Sequence, residues 1–94
     1  MDKDTQEFYN RLRLELNNSN VWPAKYLFKF IVSTDKEKIE KVQNAFNCMG
    51  AVIETKNSKT GKYTSISVDV QMQDAEVIID KYLELSTIEG IISL

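Results

Sequence analysis

Histidine is absent from this 94-residue chain, and cysteine, proline and tryptophan occur once each. Without histidine, neither a Ser-His-Asp nor a Cys-His nucleophile pair can be built. A lone Cys48 closes no internal disulfide, which suits a reducing compartment. Nor can it supply the two closely spaced cysteines that chelate soft metals. Arginine is confined to Arg11 and Arg13. No apolar run approaches the roughly 20 residues that cross a bilayer. The opening Met1-Asp2-Lys3-Asp4 lacks the basic-then-apolar layout of a secretion signal. These absences predict a cytoplasmic protein without metal, cofactor or membrane contact, and not an enzyme.

A chain that is 43% hydrophobic, with three glycines, is too apolar for disorder and too poor in glycine for a repetitive fibre. Net charge is −2, whereas domains that depend on phosphate contacts usually carry a basic excess. The charge is unevenly spread. Residues 35–62 hold six lysines against four acids, but residues 63–94 set Asp69, Asp74, Glu76, Asp80, Glu84 and Glu89 against Lys81 alone.

Hydrophobic periodicity predicts seven elements. Asp4 with Glu7 resembles a capping box, and Phe8, Leu12 and Leu16 recur at helical spacing, so a helix is expected over about residues 5–17. Asn17-Asn18-Ser19-Asn20 ends it, and residues 1–20 read as an appendage to a domain spanning 21–94. Lys25 to Ser33 reads as a strand with apolar residues on both faces, hence central: Tyr26, Phe28, Phe30 and Val32 one way, Leu27, Lys29 and Ile31 the other.

Thr34 or Asp35 should cap a helix carrying Ile39, Val42, Phe46 and Met49 on its buried stripe, stopped by Gly50. In that helix Cys48 is expected to flank the core, partly buried. Ala51 to Lys56 is the next strand, followed by a turn in which Gly61 takes positive φ. Tyr63 to Met72 alternates strictly, predicting Thr64, Ile66, Val68, Val70 and Met72 inside. Asp74 caps a last helix that buries Ala75, Ile78, Ile79 and Tyr82, and Thr87 to Leu94 is the closing strand. The order βαββαβ with right-handed crossovers is the ferredoxin-like α+β arrangement: a four-stranded antiparallel sheet, two helices on one face, plus the N-terminal helix.

The run Ser58-Lys59-Thr60-Gly61-Lys62-Tyr63-Thr64-Ser65-Ile66-Ser67-Val68 resembles the signature hairpin of the YbeD-like bacterial proteins of unknown function. Trp22-Pro23 before a tyrosine-bearing strand, and Ile88-Glu89-Gly90-Ile91-Ile92-Ser93-Leu94, are similar too. Its marks are Ser58, Lys59, Gly61, Tyr63, Ser65 and Ser67; the turn is one residue longer and the first helix longer than the family pattern. The resemblance covers about residues 21–94. It implies an ACT-like regulatory fold, of the kind that binds small ligands such as amino acids at dimer interfaces, and it implies no activity.

Four surfaces follow as candidates. In the ACT-like reading, Ser33, Thr34 and Asp35, ahead of the first sheet helix, would hold a small molecule on free N–H groups. The same residues also suit ordinary helix capping. Glu76, Asp80 and Glu84 form an acidic row at i, i+4 and i+8 on the last helix, with Val77 exposed beside it. That row suits a basic protein partner, since like charges so spaced cost a few tenths of a kcal/mol. On the open sheet face, Leu27 and Ile31 need cover, from the N-terminal helix in cis or by self-association in a dimer. Lys56, Lys59 and Lys62 at the hairpin tip could touch phosphates. Nucleic-acid binding would need base-stacking aromatics on the open face, however, where Tyr63 stands alone. Gly61-Lys62 is no phosphate loop, because residue 56 is lysine and the pair sits in a hairpin. The partner expected is therefore an unidentified protein, or a second copy.

Overall fold

The computed structural model of the protein describes residues 3–94. Met1 and Asp2, which open the expected appendage and the segment read for a secretion signal, lie outside the described residues. The elements run α1 Lys3–Ser19, β1 Ala24–Ser33, α2 Lys36–Ala45, β2 Val52–Asn57, β3 Tyr63–Met72, α3 Ala75–Leu85 and β4 Ile92–Ser93. The strands lie in the order β2-β3-β1-β4, every neighbouring pair antiparallel. This is the ferredoxin-like order, and β1 is central as its two apolar faces require.

β1 and β3 pair over ten positions, from Ala24 opposite Met72 to Ser33 opposite Tyr63. Residues directly opposite share a face, so Phe28, Phe30 and Val32 meet Val68, Ile66 and Thr64 on the buried side. Val42 and Phe46 from the α2 segment and Ala75, Ile78 and Leu85 from α3 close over them. Each of the valine, leucine, isoleucine and phenylalanine side chains contributes about 1.5–3 kcal/mol by leaving water. Phe28 packs on Phe46 with ring centroids 4.9 Å apart, and Tyr82 sits edge-on to Phe28 at 5.3 Å.

The helix ends carry several corrections. α1 is already helical at Lys3, so Asp4 lies in its first turn rather than capping it. Asn20 Nδ2 donates to the Leu16 carbonyl and Trp22 Nε1 to Asn17, which ties off the far end. Asp35, not Thr34, caps α2, accepting from the Glu37 N–H at 2.9 Å. α2 stops at Ala45, five residues before Gly50, because Lys81 from α3 reaches over and donates to the Ala45 carbonyl. A cation there satisfies an orphan carbonyl and suits the helix dipole. The chain then turns through Cys48, which takes φ +62° and is exposed, so it does not flank the core. Asp74 caps α3 as expected. β4 is only Ile92–Ser93. Thr87 to Gly90 is a turn that buries Ile88 and passes through φ +76° at Gly90.

The largest correction concerns α1, which does not cover the open sheet face. It packs on the helix side against α3, with Leu16 buried in the main core and Leu12 against it. Arg13 completes the contact by an ion pair with Glu76. The open face is mixed apolar and charged, whereas on the helix side Leu16 joins the main core and Leu12 packs against it. Leu16→Ala should therefore lower stability by about 2 kcal/mol and Tm by about 10 °C. A detachable appendage would show no change in calorimetry.

Candidate interaction surface

Register fixes what the uncovered face of the sheet displays. Three rows cross β2, β3 and β1: Val52–Asp69–Leu27, Glu54–Ser67–Lys29 and Lys56–Ser65–Ile31. β4 extends the third with Ile92, opposite Ile31, and sets Leu94 beside Lys29, whose carbonyl accepts the Leu94 N–H at 2.9 Å. Leu27, Val52, Tyr63, Ile92 and Leu94 are each half or more exposed, and Ile31 is partly covered by its neighbours. So five of the chain's exposed large apolar side chains gather on one side of one sheet, around two lysines and two acids. Exposed apolar side chains gathered on one face make it a candidate for interaction.

The sequence pattern placed Leu27, Lys29, Ile31 and the β3 hydroxyls here. It did not single out Val52, Glu54, Ile92 or Leu94. The alternation of β2 contained the signal for the first two, but which side of the sheet they take depends on their register with β3.

The other candidates are more fully engaged. On α3, Glu76 is held by Arg13 and Glu84 lies 3.6 Å from Lys81, while Asp80 has no ion pair among the described residues. Val77, expected to be exposed beside this row, is instead partly buried against the core. At the Ser33-Thr34-Asp35 loop, Asp35 caps α2 and Ser33 accepts from Lys38 at 3.2 Å. The Thr34 N–H donates to the Lys62 carbonyl at 2.9 Å. The Thr64 hydroxyl donates to Asn57 Oδ1 at 3.0 Å, so its lone pair is what receives the Thr34 hydroxyl at 2.9 Å.

These bonds give the signature hairpin a structural role. Ser58 takes the Gly61 N–H on its carbonyl and the Tyr63 N–H on its hydroxyl, while its own N–H meets the Tyr63 carbonyl. Gly61 adopts φ +75°, where a side chain would be strained. Lys56, Lys59 and Lys62 project from this tip into solvent.

A pocket that the sequence did not reveal lies between α1, α3 and the β1–β4 edge. It has a volume of about 260 Å³ and is walled by Phe8, Tyr9, Leu12, Tyr26 and Tyr82. The Tyr26 and Tyr82 hydroxyls are 2.8 Å apart at its base, and burial pushes the Tyr82 phenol well above the usual tyrosine range. Two tyrosines at core-facing positions were the available signal, since a buried phenol needs a partner.

A ferredoxin-like α+β domain with one bare sheet face is the class these observations define. Residues 17–94 match the family described as Protein of unknown function (DUF493), so the chain belongs to it; this is the family of the YbeD-like proteins. Among solved structures, the solution structure of protein HP0495 from H. pylori is similar, with a TM-score of 0.63 at 16% identity. That match covers 81% of this chain and 86% of the other, and at such identity it speaks for the fold alone. No curated protein matches the chain.

Thr64 is the one polar side chain fully buried among the described residues. Thr64→Val keeps its shape but strands the Thr34 hydroxyl and the Asn57 carbonyl. A loss of about 1–2 kcal/mol in urea unfolding is expected, without change in m-value.

Proposed function

We propose that this protein is a non-catalytic cytoplasmic module that docks another protein surface through the open face of its sheet. The observation that carries the reading is the gathering of Leu27, Val52, Ile92 and Leu94, exposed together around Lys29. Support also comes from α1, the one spare amphipathic element, which is occupied against α3 and leaves the sheet bare. Leaving such a patch in water forfeits about 25 cal/mol for each Å² that a partner would cover. The non-catalytic part rests on composition, because a chain without histidine lacks the side chain most often used to move protons, and both its arginines lie on α1.

The acidic row of α3 is a weaker docking site, since Glu76 and Glu84 already have cations beside them. A second reading, an ACT-like sensor of an amino acid or other small metabolite, has one feature in its favour: the aromatic pocket at Tyr26 and Tyr82. The Ser33-Thr34-Asp35 loop supports it less, because its side chains and the Thr34 N–H are bonded within the chain.

Leu27→Asp combined with Ile92→Asp should leave Tm within about 3 °C, as exposed positions do. The same variant should abolish capture of whatever proteins the tagged wild-type chain retains from its native cytoplasm. Undiminished capture by the variant would remove the sheet face as the docking site. For the sensor reading, a thermal-shift screen of amino acids should give a rise in Tm that Tyr82→Phe erases; no rise at millimolar concentration counts it out.

A further inference from the structure

We infer that the surface received by the open face is the same face of a second copy of this chain, related by a two-fold axis running along β3. This rests on the docking reading above and names its partner. The three rows have a property that a face built for an unlike partner would not need. β3 is the middle column, with β2 and β1 at equal distance on either side. Rotation by half a turn about an axis along β3, lying in the interface, sets each row on its own reverse. Leu27 then meets Val52 of the second copy, Lys29 meets Glu54, and Ile31 meets the aliphatic stem of Lys56.

Because such an interface is isologous, each contact occurs twice. The charges agree with this assignment. Lys29 and Lys56 balance Glu54 and Asp69, so the face is neutral although the chain is not. A strongly basic or acidic partner gains nothing from a neutral face, whereas the face opposed to itself puts cation on anion.

Ser65 and Ser67 on β3 are small, and a depression of about 150 Å³ lies between Leu27 and Val52, with Ser67 and Asp69 in its floor. In this pairing trough faces trough, and the flanks formed by β1 and β2 carry the contact. The serines lie on the axis, where hydroxyls can donate and accept reciprocally. Asp69 also lies on the axis and meets its own image, the one unfavourable contact in the arrangement. Three strands about 4.8 Å apart, overlapping along the six residues of β2, give about 300 Å² per copy, or about 600 Å² in all, the size of a weak, reversible contact.

Sedimentation equilibrium of the purified full chain, from micromolar to millimolar concentration, tests this directly. The wild type should show monomer and dimer in exchange. Lys29→Glu alone, or Glu54→Lys alone, should weaken the dimer about tenfold, because each substitution breaks two symmetric pairs. The double swap Lys29→Glu with Glu54→Lys should return the dissociation constant to within about threefold of wild type, since both pairs re-form with reversed polarity. Asp69→Asn should tighten the dimer, a change that loss of folding cannot imitate. A wild-type chain that stays monomeric at millimolar concentration overturns the proposal, as does a double swap no tighter than its single parents. Should the monomer nevertheless lose its cytoplasmic captures on Leu27→Asp with Ile92→Asp, the docking reading stands and only the second copy is ruled out as occupant.

Discussion

The ladder between β1 and β3 runs unbroken for ten residue pairs, and the sorting of inside from outside follows from it. Every second residue of β3 is apolar or a buried threonine, and β1 answers with Phe28, Phe30 and Val32 at matching positions. A slip of one residue would turn Ile66, Val68 and Val70 into water and bring Ser65, Ser67 and Asp69 under the helices. The two helices over the sheet, the packing of α1 and the content of the bare face all inherit this one register. It also explains why the uncovered side is mixed in character. β3 contributes only polar groups there, so its apolar patches must come from β1, β2 and β4.

The hairpin that marks the family serves that register. Ser58, Gly61 and Tyr63 close the turn, while Thr64, Thr34 and Asn57 tie it to the loop before α2. A buried hydroxyl network of this kind adds modest net energy when satisfied and costs more when broken. Its position at the end of the ladder joins hairpin, loop and helix start into one rigid corner. The residues that resemble a ligand loop by sequence are thus bonded mostly to their own fold. The same holds for α1: its stripe of Phe8, Leu12 and Leu16 suited a cover for the sheet, yet Leu16 is part of the core and Arg13 anchors it to α3. One consequence is that Glu76 serves the fold, and the acidic row is less of a recognition element than its spacing suggests.

Self-recognition through the open face would reconcile features that otherwise conflict. Exposed leucine and isoleucine beside lysine, glutamate and aspartate make a poor surface for a uniformly apolar partner. They make an equally poor one for a highly charged partner, because some groups would be left unmatched. A two-fold mate sets Leu27 against Val52 and Lys29 against Glu54 from a single sequence. The cost concentrated at Asp69 is consistent with a dimer that forms reversibly. The aromatic pocket between α1 and α3 opens at the β1–β4 edge, where Leu94 also lines it.

Local periodicity by itself determined the element order, the buried set of β3, the centrality of β1 and the Asp74 cap, because these depend only on neighbours a few residues away. It overran at helix and strand ends. α2 stops early because a lysine from α3 reaches its last carbonyl, and β4 is short because Thr87 to Gly90 turns to bury Ile88. Cys48 projected from an ideal helix flanks the core, whereas the real chain has already left the helix and turned it outward. Only the tertiary structure could decide where α1 docks, which strand positions share a face across β2, β3 and β1, and that two tyrosines 56 residues apart would meet. Each of these is a contact between segments distant in sequence. A residue pattern records which faces are apolar, but not which of several apolar faces will cover another; that choice belongs to packing.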